Sequence, residues 1–414
     1  MKVWILQTGE PLQIDSAGLR PMRAMNLSKA LIERGHEVVL WSSDFDHFSK
    51  KHRIGKEHQI KISPHLEIRL IRSRGYVSHF GLSRLIDHAQ LGWNLRKMLR
   101  TESVPDVAFI GYPPVEPAWV MSRWLKRKKV PFVLDIKDAW PEILLRAFPR
   151  VLRPLLKLIL TPYYLAMKSS FRSATALSSV TQDFLSWCIE ASGRKVNDNN
   201  VVNYLTAART DVEENQYKEA KFFLDKLGIN DSGQLRGAFI GTLNSAFDFE
   251  PIFSVARKLP IEFIIAGSGP LFNQLSAEAE NYSNVQLIGW ITQAQSKALV
   301  SRSTFMLAPY RDLPDFEIHI PNKFFDAMYN GMPVVTSITG IAKKLVENEN
   351  IGVTYSAANP DSLVDVLIPL VSSPDKFIEM SLSAKNLYNQ KFSYEKVYGD
   401  CVTHLEALAD SGSS

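Results

Sequence analysis

The sequence has 414 residues, of which 45% are hydrophobic and 22% charged, and a formal net charge of +5. This composition excludes fibrous and intrinsically disordered classes, and the length predicts two domains, each with its own core. Cys188 and Cys401 are far apart in sequence, which excludes a disulfide framework and a cysteine-based metal cluster. We find no apolar run that predicts a transmembrane helix, and the start MKVWILQTGE predicts a strand rather than a signal peptide. A reducing cytoplasm is the expected setting.

The first elements predict a β-α-β unit, and therefore a parallel sheet with binding sites at the carboxyl ends of its strands. Arg20 and Arg23 stand at the entrance of the helix, where they either meet a phosphate or are ordinary solvated side chains. No G-x-G-x-x-G follows the first strand, which argues against a dinucleotide-binding dehydrogenase. The predicted elements are a strand Val3–Gln7, a loop through Gly18, a helix from Pro21 to Gly35 and a strand Glu37–Ser42.

The next strand end carries an Asp44-Phe45-Asp46 sequence. A D-x-D pair can hold a metal ion, but aspartate is also common in turns after strands, so we predict no metal site. The region 50–75 is basic and irregular apart from a strand at Leu66–Ile71, and we interpret it as a mobile loop.

Carboxylates follow two further predicted strands, Val107–Ile110 and Phe132–Asp135. Asp135 and Asp138 come at the end of the second strand, where partial burial can tune a carboxylate for proton transfer. Trp140 beside them could stack on a sugar ring. The alternative is a capping aspartate with a core tryptophan. Glu116, after Tyr112-Pro113-Pro114, is a weaker candidate.

The stretch from Ile143 to Gln182 contains no acidic residue. Basic residues alternate there with large apolar ones, which is typical of a segment lying on an anionic membrane surface, or of a core helix with a solvated basic face. The sequence contains no zinc-finger spacing or RNA-recognition signature, so we expect no nucleic-acid partner. The basic residues are Arg146, Arg150, Arg153, Lys157, Lys168 and Arg172.

The pattern of strands and helices restarts after a domain boundary near 204–215. Gly241 follows the first strand of this half, and Gly267-Ser268-Gly269-Pro270 follows the second. Glycine after a strand lets the backbone approach a ligand closely, so the two loops together favour a nucleotide diphosphate. The predicted strands are Gly237–Ile240, Phe263–Ala266, Val285–Ile288, Thr304–Leu307 and Val334–Thr336.

A helix between Pro321 and Gly331 has the clearest candidate residues. Asn322 lies at its start, and Lys323 and Asp326 share one face. An ammonium can neutralise a phosphate oxygen and a carboxylate can accept two sugar hydroxyls. The functional interpretation is a nucleotide-sugar site, and the alternative is an amphipathic helix with a solvated face.

Together these residues resemble the GT-B-fold glycosyltransferases of family 4, particularly a bacterial surface-polysaccharide branch that includes N-acetyl-fucosamine transferases. The resemblance covers nearly the whole chain. It rests on Pro21-Met22-Arg23, the stretch 34–38, the stretch 44–48, the stretch 133–142, Phe239-Ile240-Gly241, the stretch 265–270 and the stretch 320–326.

The chain departs from the family pattern in two places. The family's E-x7-E glutamates fall on Ile318 and Asp326, although Lys323 fits the Pro-Asn/Ser-Lys variant of the branch. The Arg and Lys that often follow the Gly241-type glycine are replaced by Thr242 and its neighbours. The resemblance therefore implies other donors to the phosphates: Lys323, Arg311 or backbone N–H groups.

The resemblance implies two Rossmann-like α/β domains facing a cleft. Residues 1–205 would bind the acceptor, residues 206–391 the nucleotide sugar, and residues 392–414 would form a helix returning to the first domain. The implied donor site contains Gly18, Gly241, Thr242, Gly267, Gly269, Arg311, Pro321, Asn322, Lys323 and Asp326. The implied acceptor site contains Arg20, Arg23, Glu116 and Trp140, and the implied catalytic residues are Asp138, Asp135, Lys323 and Asp326.

The implied reaction moves an N-acetylated amino or deoxy sugar, with retention, from UDP to a lipid-linked or glycan acceptor. It requires no metal or cofactor and takes place at the inner face of the bacterial cell membrane during O-antigen or capsule synthesis. The alternatives are a nucleotide-sugar epimerase of the same fold, or a catalytically silent protein that binds nucleotide sugars or membranes.

Overall fold

The computed structural model describes residues 1–15, 20–77, 81–146, 148–207, 212–231, 233–313, 316–357 and 359–412. The chain divides into two compact units. The N-terminal unit contains Met1–Ala208 and Tyr394–Ser414, and the C-terminal unit contains Arg209–Ser393. Among the described helices, none is both long enough and apolar enough to span a bilayer.

The N-terminal unit is built on an eight-stranded sheet in the order β10-β9-β8-β7-β1-β2-β6-β5. All neighbouring pairs are parallel except β5 and β6. Its strands are β1 Lys2–Leu6, β2 Glu37–Ser43, β3 Phe45–Asp46, β4 Lys51–His52, β5 His58–Ser63, β6 Leu66–Ile71, β7 Val107–Tyr112, β8 Phe132–Ile136, β9 Ala176–Ser179 and β10 Val201–Val202. Its first seven helices are α1 Arg23–Glu33, α2 Leu82–Met98, α3 Val115–Lys128, α4 Glu142–Arg146, α5 Arg153–Ile159, α6 Thr161–Ser173 and α7 Gln182–Ser192, with a 3₁₀ turn at Arg150–Leu152.

The C-terminal unit is built on a six-stranded parallel sheet in the order β13-β12-β11-β14-β15-β16, which is the doubly wound order of Rossmann-type folds. Its helices are α8 Glu214–Lys226, α9 Glu250–Lys258, α10 Phe272–Ala279, α11 Gln293–Ser301, α12 Asn322–Tyr329, α13 Gly340–Asn348, α14 Asp361–Val371 and α15 Asp375–Leu387, and a π turn follows at Tyr388–Phe392. Its strands are β11 Arg236–Ile240, β12 Glu262–Ala266, β13 Val285–Gly289, β14 Phe305–Ala308, β15 Val334–Thr336 and β16 Gly352–Thr354.

The last helix, α16 Tyr394–Gly412, belongs to the N-terminal unit. It packs on α1, β7 and β8, and its buried side chains, including Tyr398 and Leu405, join the core of that unit. The Tyr398 hydroxyl donates a hydrogen bond of 3.0 Å to the Thr206 carbonyl. The structure thus confirms the predicted α/β units with parallel sheets and a C-terminal helix that returns to the N-terminal domain.

The region 50–75 differs from the predicted mobile loop. β5 pairs with β6 as an antiparallel edge strand, and β3 and β4 form a short hairpin. The side chains of β5 are mostly exposed, so the strand lacks the buried apolar pattern by which a strand is predicted. The sequence analysis did not predict β16, because this strand has only three residues and starts with glycine.

Candidate functional site

Two glycine loops meet at the carboxyl end of the C-terminal sheet. Gly241 and Gly267 have φ angles of +155° and +153°. The Gly241 N–H donates to the Ala266 carbonyl at 2.9 Å, and the Leu243 N–H donates to the Ser268 carbonyl at 2.9 Å. A Cβ at Gly267 would overlap the Gly241 carbonyl. Only glycine fits here, so backbone alone forms the floor of this site.

Lys323 reaches the same place from the start of α12. Its Nζ donates a hydrogen bond to the Ile240 carbonyl and lies 4.2 Å from the centroid of the Phe239 ring. A Cβ at Gly241 would overlap this Nζ. Burial lowers the pKa of Lys323 to about 8, and the negative charge of Asp326 opposes this shift. The structure thus brings the predicted Lys323 and Gly241 into contact.

The other predicted donor residues lie around these two. Asp326 is one turn further along α12 and half-buried, while Thr242 and Asn322 are exposed. Gly269 has φ +151°, and a Cβ there would overlap the Leu243 carbonyl. Pro321 precedes α12 in an extended conformation, so α12 begins one residue later than predicted.

Arg311 is anchored to the loop that follows β11. Its Nε donates to the Phe247 carbonyl at 3.2 Å, and its guanidinium lies 3.7 Å from Asp248 Oδ1. The side chain is still 52% exposed, which leaves much of its donor surface open to solvent.

The N-terminal unit has a pocket of about 220 Å³ at the carboxyl ends of β1, β2, β7 and β8. Asp138 lines it, as do Glu10 and Lys137. Glu10 Oε1 accepts hydrogen bonds from Lys137 Nζ and, at 3.1 Å, from Gln7 Nε2, while its Oε2 accepts one from the Ala24 N–H at 2.8 Å. The buried Glu10 therefore holds the ammonium of Lys137 at the pocket wall.

Sequence reasoning missed most of this pocket. It singled out neither Glu10 nor Lys137 individually, although both follow predicted strands. It also missed Tyr76, Arg84 and His88, which come from α2 and the segment before it. No position relative to a strand end identifies those residues, and only the packing of α2 brings them to the pocket.

Arg23 and Asp135 do not face the pocket, which corrects two predictions. Arg23 Nε lies 3.3 Å from Asp135 Oδ2, and their side chains are 1% and 0% exposed. Arg23 also donates to the carbonyls of Asn203 at 2.6 Å and Tyr204 at 3.1 Å. Asp135 Oδ1 accepts a hydrogen bond of 2.7 Å from Ser178. These contacts leave neither side chain exposed to an acceptor or a proton, so both are structural.

Trp140 and Glu116 are also enclosed by other residues of the N-terminal unit. Trp140 is buried, with the Arg84 guanidinium 5.2 Å from its ring centroid, so it cannot stack on a sugar. Glu116 lies in the first turn of α3, where its Oε1 accepts a hydrogen bond of 2.8 Å from the Tyr163 hydroxyl. Burial raises the pKa of Glu116 to about 7. Both predictions as acceptor contacts are wrong for this reason.

The carboxylates of the D-x-D sequence bind their own loop. Asp44 accepts hydrogen bonds from the N–H groups of Ile54 and Gly55 and from His52, and Asp46 accepts from those of Phe48 and Ser49. Within the described residues, no group of three or more metal-binding side chains is found. Arg20 is exposed at the entrance of α1, and Gly18 lies outside the described residues.

Two family models match the chain. The "Glycosyl transferase 4-like domain" matches residues 22–203, and "Glycosyl transferases group 1" matches residues 245–373. Together they match about three-quarters of the sequence. The chain is a glycosyltransferase of the GT4 type. No curated protein matches it by sequence.

Solved structures show the fold of this glycosyltransferase. Sucrose-phosphate synthase from Thermosynechococcus elongatus is 13% identical, with 99% of both chains covered and a TM-score of 0.66. HepE of Anabaena in complex with UDP is 14% identical, with 98% and 99% covered and a TM-score of 0.62. WaaG, a glycosyltransferase involved in lipopolysaccharide biosynthesis, is 13% identical, with 97% and 99% covered and a TM-score of 0.61. These similarities confirm the predicted GT-B fold.

We predict that Arg23 of this glycosyltransferase contributes to stability rather than to binding. In Arg23→Met the carboxylate of Asp135 stays buried without its cation, so the free energy of unfolding should fall by about 3–5 kcal/mol. Urea unfolding measures this change.

Two further variants serve as controls. The free energy of unfolding of Arg23→Met/Asp135→Leu should fall less than that of the single variant, since no charge remains buried. Lys29→Met, which breaks an exposed pair with Glu33 on the same helix, should cost less than about 1 kcal/mol. A loss as small in Arg23→Met would contradict the structural role.

Proposed function

We propose that the enzyme transfers a sugar, with retention, from a UDP-sugar to a lipid-linked or glycan acceptor in bacterial surface polysaccharide synthesis. The main observation in support is the position of Lys323, whose ammonium lies against Gly241 at the carboxyl end of β11. Phosphates bind where backbone can approach closely and a fixed positive charge is present.

In this proposal the C-terminal unit binds the donor. When the bond from the anomeric carbon to the diphosphate oxygen breaks, negative charge grows on the leaving diphosphate, and Lys323 and the exposed part of Arg311 stabilise it. Asp326 accepts hydrogen bonds from hydroxyls of the ribose or the sugar. HepE has been crystallised with UDP and with UDP-glucose, which supports UDP as the nucleotide.

The N-terminal unit then binds the acceptor. Asp138 orients the acceptor hydroxyl, whose oxygen forms the new bond to the anomeric carbon while its proton passes to the oxygen of the leaving diphosphate. Asp138 lines the pocket and Asp135 does not, so Asp138 alone keeps this role. The participation of WaaG in lipopolysaccharide biosynthesis supports a surface-polysaccharide acceptor. The proposed transferred group is the N-acetylated amino or deoxy sugar that the family resemblance implies.

We predict that Lys323→Ala abolishes most turnover without unfolding the protein. Loss of one donor to a developing oxyanion costs about 2.7–4 kcal/mol, so kcat should fall about 10²- to 10³-fold. A thermal-shift screen of UDP-, GDP-, dTDP- and ADP-sugars identifies the donor, and product formation then measures kcat. Lys343→Ala, which removes a half-exposed lysine of the same unit, should keep wild-type rates. Wild-type rates in Lys323→Ala would exclude Lys323 from the site.

A second prediction concerns the pH dependence of donor binding. A bound diphosphate favours the protonated form of Lys323, whose pKa is about 8. The affinity for UDP should therefore fall as pH rises, becoming about tenfold weaker at about pH 9 than at about pH 7. Calorimetric titration of UDP across this range measures the slope. Lys323→Met should bind UDP weakly at every pH without this slope, and a slope that persists in the variant would assign the titration to another group.

We also propose that the enzyme is peripheral on the inner face of the cell membrane, through the segment 143–182. None of the residues of α5 is buried, and Leu155, Leu158 and Ile159 are 59–71% exposed. Arg150 and Lys157 are exposed beside them. Apolar side chains can enter the interface while each basic residue near an anionic surface contributes about 1 kcal/mol.

We predict that the full chain floats with vesicles containing anionic lipid at low salt, and less at high salt because the charges are screened. Leu155→Asp/Leu158→Asp should abolish flotation, since the apolar contact is lost and negative charge is added. Ile378→Asp, at a position 60% exposed in the C-terminal unit, is the matched control and should float normally. Equal flotation of the double variant and the control would place the contact elsewhere.

A further inference from the structure

Positive groups gather around one aromatic side chain in the pocket of the N-terminal unit. Tyr76 shares a hydrogen bond between its hydroxyl and His47 Nδ1. Lys50 Nζ lies 4.5 Å from the centroid of the Tyr76 ring, and the Arg84 guanidinium carbon lies 5.7 Å from it. His88 meets the same ring edge-on at 6.2 Å. We call these five residues the Tyr76 corner.

The positive charges of Lys50 and Arg84, which lie against the same Tyr76 ring, repel each other. Burial lowers the pKa of Lys50, the charge of Arg84 lowers it further, and the negative charge of Asp46 opposes the shift. Burial lowers the pKa of His88 to about 3, and the charges of Arg84 and His47 add to this shift. Titratable groups whose pKa values are shifted by burial and by neighbouring charges are concentrated at sites of function. An anion bound between these groups would relieve the repulsion.

His88 supplies a polar atom for such a ligand. The residue is 4% exposed, lines the pocket, and its Nδ1 is buried with no hydrogen-bond partner within the described part of the chain. Because the ring is neutral, one of its nitrogens donates and the other accepts. A buried polar atom without a partner costs free energy, which a ligand oxygen can remove.

The carboxylates of Glu10 and Asp87 accept hydrogen bonds within the protein, and that of Asp138 comes from an element other than α2. Glu10 is held by Lys137 and the Ala24 N–H. Asp87, on the same helix as Arg84, accepts a hydrogen bond of 2.5 Å from the Gly75 N–H. Asp138 comes from the end of β8 and is the group proposed for the acceptor hydroxyl. The Tyr76 corner thus combines the positive charges of Lys50 and Arg84 with the negative charge of Asp87, which also acts on Tyr76, whereas Asp138 lies on the β8 side.

We propose that the acceptor carries a phosphate or carboxylate group that binds at the Tyr76 corner, with Arg84 and His88 as its main donors. This inference rests on the proposed function, because it assigns the pocket to the acceptor. Arg84, His88 and Asp138 line the same pocket of about 220 Å³, so an anionic group at the Tyr76 corner and a hydroxyl at Asp138 would share one pocket.

The first test requires no turnover. Calorimetry of the full chain with inorganic phosphate should show saturable binding, weakened about tenfold to hundredfold in Arg84→Gln, because one charged hydrogen-bond donor is lost. Arg84→Lys keeps the charge and should fall between the two. Arg123→Gln is the matched control, since Arg123 is exposed over the Trp119 ring on α3, and should bind like wild type. Melting temperatures show that each variant is folded.

Three outcomes overturn the inference: no saturable phosphate binding, equal binding in Arg84→Gln and Arg123→Gln, or phosphate binding that UDP displaces and Lys323→Ala abolishes. The last outcome would place the phosphate at the donor site. Binding that persists with saturating UDP and in Lys323→Ala supports the Tyr76 corner. If UDP does not bind while phosphate still binds at Arg84, the result refutes the proposed donor site but supports the proposed anion site at the Tyr76 corner.

Transfer assays then distinguish the sources of the anion. A prenyl-phosphate-linked sugar, a soluble sugar phosphate and an uncharged glycoside are offered as acceptors. Arg84→Gln should raise the KM for whichever phosphorylated acceptor is used by a larger factor than the KM of the uncharged glycoside, and Arg123→Gln should change the two KM values equally little. Transfer to the prenyl-linked sugar alone assigns the anion to a lipid, and transfer to the soluble phosphate assigns it to a free metabolite. Equal wild-type KM values for charged and uncharged acceptors would contradict the anionic subsite.

Discussion

The close contact between Lys323 and the backbone at Gly241 is the constraint on which the proposed donor site depends. Nζ occupies the volume that any Cβ at position 241 would fill, and the Gly241 carbonyl occupies the volume that a Cβ at Gly267 would fill. Three segments of the C-terminal unit therefore meet without side chains between them: the end of β11, the end of β12 and the start of α12. The ammonium is fixed before any ligand arrives, and a fixed charge needs little reorganisation when charge develops on a leaving group.

In the N-terminal unit, two ion pairs near the ends of parallel strands have different roles because of burial. Arg23 and Asp135 are enclosed, and backbone carbonyls and Ser178 take up further hydrogen bonds of the pair. The pair links α1 to β8 and to the segment after β10. Glu10 and Lys137 lie at the pocket wall, where Glu10 is buried and the Lys137 side chain is 15% exposed. The first pair can only stabilise the fold, whereas the second presents a positioned cation to whatever enters the pocket.

Sequence reasoning predicted the elements that carry a strong local signal. The buried strands, the order of strands and helices, and the helix between Pro321 and Gly331 depend on apolar runs and on glycine and proline. Among the residues proposed to bind the donor, Lys323 and Gly241 were predicted from their positions at a helix start and after a strand, and the structure brings these two into contact. Asp135 and Arg23 had equally suitable positions and were misassigned, since the residues that enclose them, Ser178, Asn203 and Tyr204, are far away in sequence. Tyr76, Arg84 and His88 had no local signal, because a helix that contributes to a site through one face looks like any amphipathic helix.

The charge state of Lys323 depends on the groups that surround its ammonium. Lys323 is surrounded by the Ile240 carbonyl and the faces of Phe239 and Phe247, which compensate a positive charge less than a carboxylate in contact would. Its pKa therefore falls to about 8. This value is still above 7, so Lys323 stays mostly protonated at pH 7, and a diphosphate in contact with it would raise the pKa again. A lysine with a direct carboxylate partner would keep its charge over a wider pH range but would offer less of it to a ligand. The burial of Lys323 thus narrows the pH range over which the side chain is charged, and it leaves a positive charge that is only partly compensated at the place where the diphosphate is proposed to leave.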